Sequence, residues 1–425
     1  MRPAWDKATG TGVVVAVIDT GITNHPDLNA NILPGYDFIS DTALARDGNG
    51  RDSNPNDEGD WYGNNECQPG YPASNSSWHG THVAGTVAAV TNNSIGVAGT
   101  AFNAKVVPVR VLGKCGGYTS EIADAIVWAS GGSVSGVPAN ANPAEVINLS
   151  LGGGGSCSAT YQNAINGAVG RGTTAVVAAA NTNTNVSSSV PANCANVIAA
   201  AATTSAGARA SFSNYGAGID ISAPGQGILS TLNTGTTVPG SPTYASYNGT
   251  SMAAPHVAGV VALMQSVAPS PLSPAQVETI IKNTARPLPG ACSGGCGAGI
   301  IDADAAVTAV INGTGGGTNP NPGGNDLQNN VPVTGLSAAS GASLAYPVTV
   351  PAGRSQLRAA ISGGSGDADL YLRQGSAPTD TTYTCRPYLS GNNETSTVSN
   401  PAAGVWHVRV KAYSTFSGLS LTAQY

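Results

Sequence analysis

Three residues of the sequence have the side-chain types that hydrolysis at a serine requires. Ser251 lies in the stretch NGTSMAAPHVAG, His79 opens the stretch HGTHVAGTVAAV, and Asp19 ends the apolar run GVVVAVID. A serine hydroxyl is a poor nucleophile until a base takes its proton, and a carboxylate must hold that base in the right tautomer. Together the three side chains could therefore carry out nucleophilic catalysis.

Each of these residues also has an ordinary structural interpretation. Ser251 and His79 stand where helices are expected to begin, and a serine there can act as an N-cap, because its hydroxyl accepts from free backbone N–H groups. Asp19 could be a turn residue. The start of a helix also favours developing negative charge. The choice between these interpretations depends on the elements that position the three side chains.

Short apolar runs alternate with helical patterns along most of the chain. The runs cover residues 12–19, 105–112, 145–151, 173–180, 196–202 and 218–225. This alternation predicts an α/β fold, a doubly wound and mostly parallel sheet with helices on both faces. Ligands bind at the carboxyl ends of such strands, where Asp19 stands. The glycines of GTGVVVAVIDTG precede their strand, which argues against a dinucleotide fingerprint.

The composition changes near residue 312 and indicates two domains. Residues 1–311 carry the α/β pattern, and residues 312–330, which include NGTGGGTNPNPGG, are predicted to form a linker. Residues 331–425 show short alternating strands, which predict a small antiparallel β-sandwich.

The composition also limits the classes of function. Only 9% of the 425 residues are charged, the net charge is −6 and 56 residues are glycine, a profile that fits a secreted protein. There is no basic stripe for nucleic acid and no apolar run long enough to span a membrane. The N-terminal MRPAWDKATG lacks the apolar region of a signal peptide, so we expect that the targeting segment of a secreted protein has been removed or was never part of this sequence.

Seven cysteines favour disulfides in an oxidising compartment. Sequence order suggests the pairs Cys67–Cys115, Cys157–Cys194 and Cys292–Cys296, with Cys385 left over, although order alone does not prove connectivity. Zinc at Cys292 and Cys296 is the weaker alternative, because no second Cys/His pair lies near them.

The stretches VIDTGI, HGTHVAGTVAAV and NGTSMAAPHVAG, in the order Asp, His, Ser, resemble the subtilase family of serine proteases over roughly residues 4–310. The order differs from that of α/β-hydrolases, and Ala253 replaces the last glycine of their G-x-S-x-G elbow. The resemblance implies a secreted, bacterial-type endopeptidase with a subtilisin-like fold. In it Ser251 is the nucleophile, His79 the general base and acid, and Asp19 its orienting carboxylate.

The resemblance also implies an oxyanion hole and substrate-binding edges. Asn181 and the backbone N–H of Ser251 would hold the oxyanion, although Ala180 stands where the family has glycine. Extended substrates would bind main chain along two edges, Ser150, Leu151 and Gly152 on one side and Gly116 and Gly117 on the other. Small uncharged residues, Ala179 and Ala180 among them, would wall a primary pocket for medium to large uncharged side chains.

Calcium is the cofactor that the resemblance implies. At one site Asp27 and Asn93 would bind through side chains, and Val90, Ile95 and Val97 through carbonyl oxygens. A second site is expected in the acidic loop 41–60, with Asp47, Asp52 and the carbonyl of Arg51, although a solvated acidic loop is the alternative.

The stretches GSGDADLYLRQG and AGVWHVRVKAYSTFSGLSLTAQY resemble the bacterial pre-peptidase C-terminal domain. The expected partners are protein or peptide substrates and the chain's own pro-segment, since the family is usually made as a zymogen, and the expected state is a monomer. Two rival hypotheses are a catalytically silent adhesion protein on the same fold and an esterase.

Overall fold

A computed structural model describes residues 1–312, 327 and 329–425. The chain divides into two compact units, 1–315 and 316–425. Most of the predicted linker, residues 313–326 and 328, lies outside the described residues.

The first unit is built on a seven-stranded sheet whose strands all run parallel, in the order β2-β3-β1-β4-β6-β8-β9. The bounds are β1 Val14–Asp19, β2 Tyr36–Asp37, β3 Lys105–Arg110, β4 Val146–Leu149, β6 Thr174–Ala178, β8 Ile198–Thr203 and β9 Ile221–Pro224. Two antiparallel pairs flank it, formed by β5 Gly153–Gly154 with β7 Ser189–Val190 and by β10 Ile228–Asn233 with β11 Pro242–Tyr247.

Helices cover both faces of this sheet, as the sequence predicted. They are α1 Arg2–Trp5, α2 Thr42–Ala45, α3 His79–Ala88, α4 Thr119–Ala129, α5 Ala159–Gly170, α6 Thr250–Val267, α7 Pro274–Thr284 and α8 Ala303–Ile311. Short 3₁₀ turns lie at Asn29–Asn31 and Val186–Ser188.

Alternating side chains of the central strands enter two separate cores. Val15 and Val17 of β1 belong to the core packed by α3, α6, α7 and α8, whereas Ala16 and Ile18 belong to the core packed by α4 and α5. A strand buried on both faces has to be apolar throughout, which explains the continuous apolar runs. The buried helix α6 crosses the sheet and presents its first turn at the carboxyl edge of the strands.

The second unit is an antiparallel β-sandwich, also as expected. Its strands are β12 Val333–Ala338, β13 Ser343–Val350, β14 Gln356–Ser362, β15 Ser365–Gln374, β16 Glu394–Ser399 and β17 Gly404–Gln424. The sequence predicted short strands throughout this unit, but β17 is one strand of 21 residues that pairs with β12, β13, β14 and β15. The alternation of buried residues breaks at 413–415 and 417–418, where the pairings with β12 and β15 shift register, but the strand continues through these irregularities.

Among the helices of the described residues, none is both long and apolar enough to cross a membrane.

Candidate active site

The partly exposed imidazole of His79 and the buried carboxylate of Asp19 form a hydrogen-bonded pair. Nδ1 of His79 lies 2.8 Å from Oδ1 and 3.0 Å from Oδ2 of Asp19. Asp19 is the last residue of β1 and is fully buried, and its Oδ1 also accepts from the backbone N–H of Thr20 at 2.8 Å. The carboxylate is therefore fixed, and it leaves Nε2 of His79 as the ring nitrogen available to the cleft.

The pKa of His79 is raised above its ordinary value of 6.5. Burial opposes protonation, but the charge of Asp19, its hydrogen bond and the charges of Asp60 and Asp57 outweigh burial. A base whose conjugate acid is stabilised in this way is suited to accept a proton near neutral pH.

Ser251 lies in the first turn of α6, but it does not cap the helix. Gly249 is the N-cap residue, and no side-chain cap bond forms there. The Ser251 hydroxyl instead donates to the carbonyl of Ser150 at 3.2 Å, and Oγ of Ser150 donates back to the carbonyl of Ser251 at 2.8 Å. The N-cap interpretation of Ser251 is therefore wrong, because the helix begins two residues earlier than that interpretation requires.

His79, Ser251 and Asn181 all line one cleft of about 1150 Å³. No hydrogen bond joins Nε2 of His79 to the Ser251 hydroxyl in the described part of the chain, because that hydroxyl donates to Ser150. Catalytic hydrogen bonds are often long or poorly aligned before substrate binds. The observation that links His79 to Ser251 is therefore that both side chains line the same cleft.

Asn181 is held by its carbonyl oxygen. Oδ1 accepts from the backbone N–H of Thr250 at 2.8 Å and from its hydroxyl at 3.0 Å. With the oxygen used in this way, the amide nitrogen is the free end of the side chain. It lies beside Gly249, close to the start of α6. The arrangement supplies a fixed donor next to Ser251, as an oxyanion site needs.

Ala180 adopts the left-handed region, with φ of 76°. Its carbonyl accepts from the backbone N–H of Asn214, whose buried side chain in turn accepts from Thr182 and Thr184. This network holds the backbone in a conformation that an alanine adopts at a cost of about 1–2 kcal/mol.

We expect Ala180→Gly to raise stability by up to about 1 kcal/mol, because relief of the left-handed strain exceeds the extra backbone entropy of glycine. That gain corresponds to a rise in melting temperature of about 1–3 °C, measured by calorimetry. Ala179→Gly is the matched control: Ala179 is fully buried and has no positive φ, so it should be destabilised by about 1 kcal/mol. If both variants lost the same amount of stability, the proposed backbone strain at Ala180 would be contradicted.

One side of the cleft is lined mainly by small residues. Ser150, Leu151 and Gly152 continue from β4 along one side, and Ala180 and Ser189 lie on the same cleft. Ala179 is not among the lining residues; it is fully buried beneath them, between Ala178 and Ala180. A Cβ on Gly152 would come within 2.9 Å of the carbonyl of Val190, so this wall leaves room only for glycine.

Gly116 and Gly117 form the opposite edge of the cleft, but only part of their main chain is available to a substrate. The N–H and C=O of Gly116 both bond to Gly113, at 3.1 and 2.9 Å, so they are not free for a substrate. The main-chain groups of Gly117 and Leu151 have no partner among the described residues. A Cβ on Gly117 would meet the carbonyl of Val111 at 2.1 Å, which requires glycine there.

The other histidines near these motifs are structural. His82 is fully buried, stacks on Tyr247 and faces the carbonyls of Ile228 and Ala245, and burial lowers its pKa to about 4. His256 packs on α6 with its Nδ1 2.8 Å from the carbonyl of Met252. Neither lines the cleft.

Three disulfides have the pairing that sequence order suggested, Cys67–Cys115, Cys157–Cys194 and Cys292–Cys296. Cys67 and Cys115 line the cleft, so this bond fastens the loop after Asp60 to the edge that carries Gly117. Cys385 is the free cysteine of the described chain.

The first expected calcium site has a donor set that suits a hard cation. Asp27 is fully buried, and its oxygens accept from Nδ2 of Asn93 at 2.6 Å and from the N–H of Val97 at 2.9 Å. The carbonyls of Val90, Ile95 and Val97 accept no hydrogen bond from the residues that the structure describes. Gly96 closes the loop over Asp27, where a Cβ would lie 2.1 Å from Oδ2. The oxygens fit calcium, with one carboxylate among them.

The second expected site is less favourable for a cation. Asp47 lies 3.1 Å from the buried guanidinium of Arg110, and Asp52 accepts from Asn49 and from the N–H of Asn54. The side chain of Arg51 pairs with Asp124. No group of three or more His, Cys, Asp or Glu side chains gathers as a metal cluster in the described ranges. A cation at Asp47 would compete with Arg110 for the same carboxylate.

Comparison with known proteins agrees with this geometry. Residues 10–315 match the subtilase family, and residues 342–412 match the bacterial pre-peptidase C-terminal domain. An extracellular protease of Xanthomonas campestris pv. campestris is 75% identical over 425 residues, which is 100% of this chain and 73% of that protein.

Two further proteins are similar over 72% of this chain each. An extracellular basic protease of Dichelobacter nodosus is 53% identical over 72% of this chain and 52% of its own length. A solved protease structure from Pseudoalteromonas arctica superimposes with a TM-score of 0.71 at 59% identity, over 72% of this chain and 93% of that one.

Proposed function

Because the chain belongs to the subtilase family, we propose that Ser251, His79 and Asp19 form its catalytic triad. The protein is an extracellular serine endopeptidase. The observation that supports the triad most strongly is the contact of His79 Nδ1 with both oxygens of Asp19, at 2.8 and 3.0 Å, on the cleft that Ser251 also lines.

In the proposed mechanism, Nε2 of His79 takes the proton of the Ser251 hydroxyl while Oγ attacks the scissile carbonyl. Asp19 keeps the proton on Nδ1 and stabilises the imidazolium that forms. The imidazolium then gives its proton to the leaving amine, which leaves an acyl-enzyme on Ser251. Water activated by His79 hydrolyses the ester, and the proton returns to Oγ of Ser251.

Asn181 is proposed to donate to the oxyanion together with the backbone N–H of Ser251. We expect Asn181→Asp to lower kcat about 100- to 1000-fold with a small change in KM, since an oxyanion donor acts mainly in the transition state; this magnitude was measured on a subtilisin. The aspartate keeps the oxygen that Thr250 contacts but loses the amide N–H. Steady-state kinetics on a peptide amide measure the effect.

Thr250→Val is the matched control for Asn181, because it removes only the hydroxyl contact at 3.0 Å and leaves the backbone N–H that holds Oδ1. Its loss in kcat should stay below about tenfold. Equal losses in Thr250→Val and Asn181→Asp would contradict a donor role for the Asn181 amide nitrogen.

The primary pocket is proposed to take medium to large uncharged side chains. The small residues that line it, Ser150 and the glycines 152–155 on one side and Ala178 and Ala180 on the other, leave space and bring no charge. The experiment is a set of peptide amides that differ only in the residue before the scissile bond. Phe, Leu and Met are expected to exceed Asp, Glu and Lys in kcat/KM, and an equal rate for all of them would contradict this pocket.

A calcium ion is proposed at Asp27, with Asn93 and the carbonyls of Val90, Ile95 and Val97. When bound, it would crosslink the loop 90–97 to the segment that carries Asp27 and would take no part in the reaction. We propose a second, weaker calcium site at Asp47, Arg51 and Asp52, where Arg110 already contacts the carboxylate of Asp47.

Chelation is expected to lower the melting temperature by about 5–10 °C, because an ion present at about 100 times its Kd stabilises the native state by about 2.7 kcal/mol. Initial rates below the transition should change less than twofold. Calorimetry with and without chelator measures the shift, and Asp27→Asn should remove most of it. An unchanged melting temperature of the wild type would refute the calcium proposal.

The family membership argues against the two rival functions, and experiment can separate all three. A silent adhesion protein would hydrolyse nothing, although the Asp19–His79 pair argues for an active base. An esterase would turn over activated esters but not peptide amides. The unpaired main-chain groups of Gly117 and Leu151 support extended peptides as substrates. Parallel assays on an ester and on its amide therefore decide among the three.

We also propose that the mature chain is monomeric and that a pro-segment assists its folding, as the family membership suggests. The C-terminal sandwich is proposed to serve secretion, adhesion to substrate or maturation. Refolding yields with and without an added pro-segment would test whether folding depends on the pro-segment.

A further inference from the structure

Asp60 places an acidic side chain in the cleft, and this side chain has no role in the proposed triad. Among the described residues that line the cleft, Asp60 is the only carboxylate, and there is no lysine or arginine. Since only 9% of the chain is charged, an acidic side chain at this place is unusual for the molecule.

The carboxylate of Asp60 is fixed beside His79. Oδ1 accepts from the backbone N–H of Ser77 at 2.6 Å, and Oδ2 accepts from the Ser77 hydroxyl at 2.8 Å. Ser77 precedes His79 by two residues, and the charge of Asp60 is one of those that raise the pKa of His79. Asp60 therefore stands on the His79 side of the cleft, whereas Ser150 of the primary pocket contacts Ser251.

Among the residues that the structure describes, no lysine or arginine forms an ion pair with Asp60, although Arg46 is near enough for the two charges to interact. None of the lysine or arginine nitrogens that the structure describes lies within 4.0 Å of its oxygens. Arg46 stacks on the ring of Trp61 at 3.9 Å and donates to its carbonyl. Glu66, further along the same loop, is paired with Lys114.

The neighbouring Asp57 reinforces the negative potential. It is buried and accepts from the Thr20 hydroxyl at 2.6 Å, and burial raises its pKa to about 7. At alkaline pH the carboxylate of Asp57 is therefore charged. A carboxylate with two donors still has free lone pairs, so Asp60 can accept further hydrogen bonds from a cation.

We propose that Asp60 forms a subsite that accepts a lysine or arginine side chain of the substrate at a position next to the scissile bond. The inference rests on the proposed function, because it assigns part of the same cleft. Asp60 thus selects the substrate sequence beyond the uncharged residue in the primary pocket.

The test uses quenched fluorescent peptides with a constant Phe before the scissile bond. Arg, Gln or Glu is placed in turn at the position before Phe and at the first two positions after the bond. At pH 9 the wild type should cleave the Arg peptide about five to ten times faster in kcat/KM than the Gln peptide at one of these positions. The Glu peptide should be slower than both, and 1 M NaCl should reduce the ratio.

Asp60→Asn should bring the ratio of Arg to Gln close to one. Glu66→Gln is the matched control: it removes a carboxylate of the same loop that does not line the cleft, and it should keep the wild-type ratio. Thermal melting checks that both variants fold. If Asp60→Asn does not fold, the wild-type ratio of kcat/KM for the Arg peptide to that for the Gln peptide, and its dependence on salt, still test the subsite.

A wild-type ratio near one at every position, with the Gln peptides cleaved well, would overturn the subsite and leave the proposed function intact. An unchanged ratio in folded Asp60→Asn would also overturn it. If no peptide is cleaved, the proposed function fails and the subsite falls with it.

Discussion

Replacement of Ser251 by alanine should lower kcat about 10⁶-fold, which is the magnitude measured when the nucleophile of a subtilisin is removed. Without Oγ no acyl-enzyme can form, and the residual rate comes from the oxyanion donors and from binding alone. The fold should persist, because the Ser251 hydroxyl makes one hydrogen bond, at 3.2 Å to the carbonyl of Ser150. Steady-state hydrolysis of a peptide amide measures the loss.

Ser266→Ala is the matched control for this experiment. Ser266 lies on the same helix, α6, and its hydroxyl donates to the carbonyl of Leu263, away from the cleft. Its kcat should stay within about twofold of the wild type, as for surface substitutions in general. A Ser251→Ala protein that keeps more than a tenth of the wild-type kcat would place the nucleophile elsewhere.

Asp19→Asn should lower kcat about 10⁴-fold. Both oxygens of Asp19 contact Nδ1 of His79, and an amide nitrogen there would face Nδ1 with a donor and favour the wrong tautomer. The charge of Asp19 also raises the pKa of His79, so its removal should move the acidic limb of the kcat/KM profile to lower pH. Rate measurements over the pH range give both effects.

Asp124→Asn serves as the control for Asp19→Asn. Asp124 is a half-exposed carboxylate paired with Arg51 outside the cleft, so its loss should leave both kcat and the acidic limb in place. An acidic limb that does not move in Asp19→Asn would show that the group titrating there is not His79 under the influence of Asp19.

The fold could be predicted because local patterns and tertiary burial agree. The run from Val14 to Asp19 is apolar at every position before the aspartate, and the structure buries its alternate residues in two cores. Such a strand requires helices on both faces, which supply His79 and Ser251 at their first turns. The sequence therefore led to the elements that carry the chemistry.

Contacts between distant segments could not be predicted in the same way. The partner of Asp47 is Arg110, 63 residues away, and no pattern in the acidic loop predicts this contact. The hairpin of β10 and β11 was not anticipated, because its exposed strand β11 lacks a buried face. The sequence alone assigned Asp60 no role beyond its place at the end of the acidic loop 41–60, since its position beside His79 depends on the path of the loop that Cys67–Cys115 closes.

The most direct test of the triad is labelling of the native protein with a fluorophosphonate, followed by peptide mapping. This reagent reacts with a serine whose hydroxyl is activated by a base. We predict one adduct per chain, located on Ser251, and none after heat denaturation. A folded protein that takes no label, or that takes it on another residue, would contradict Ser251 as the activated nucleophile.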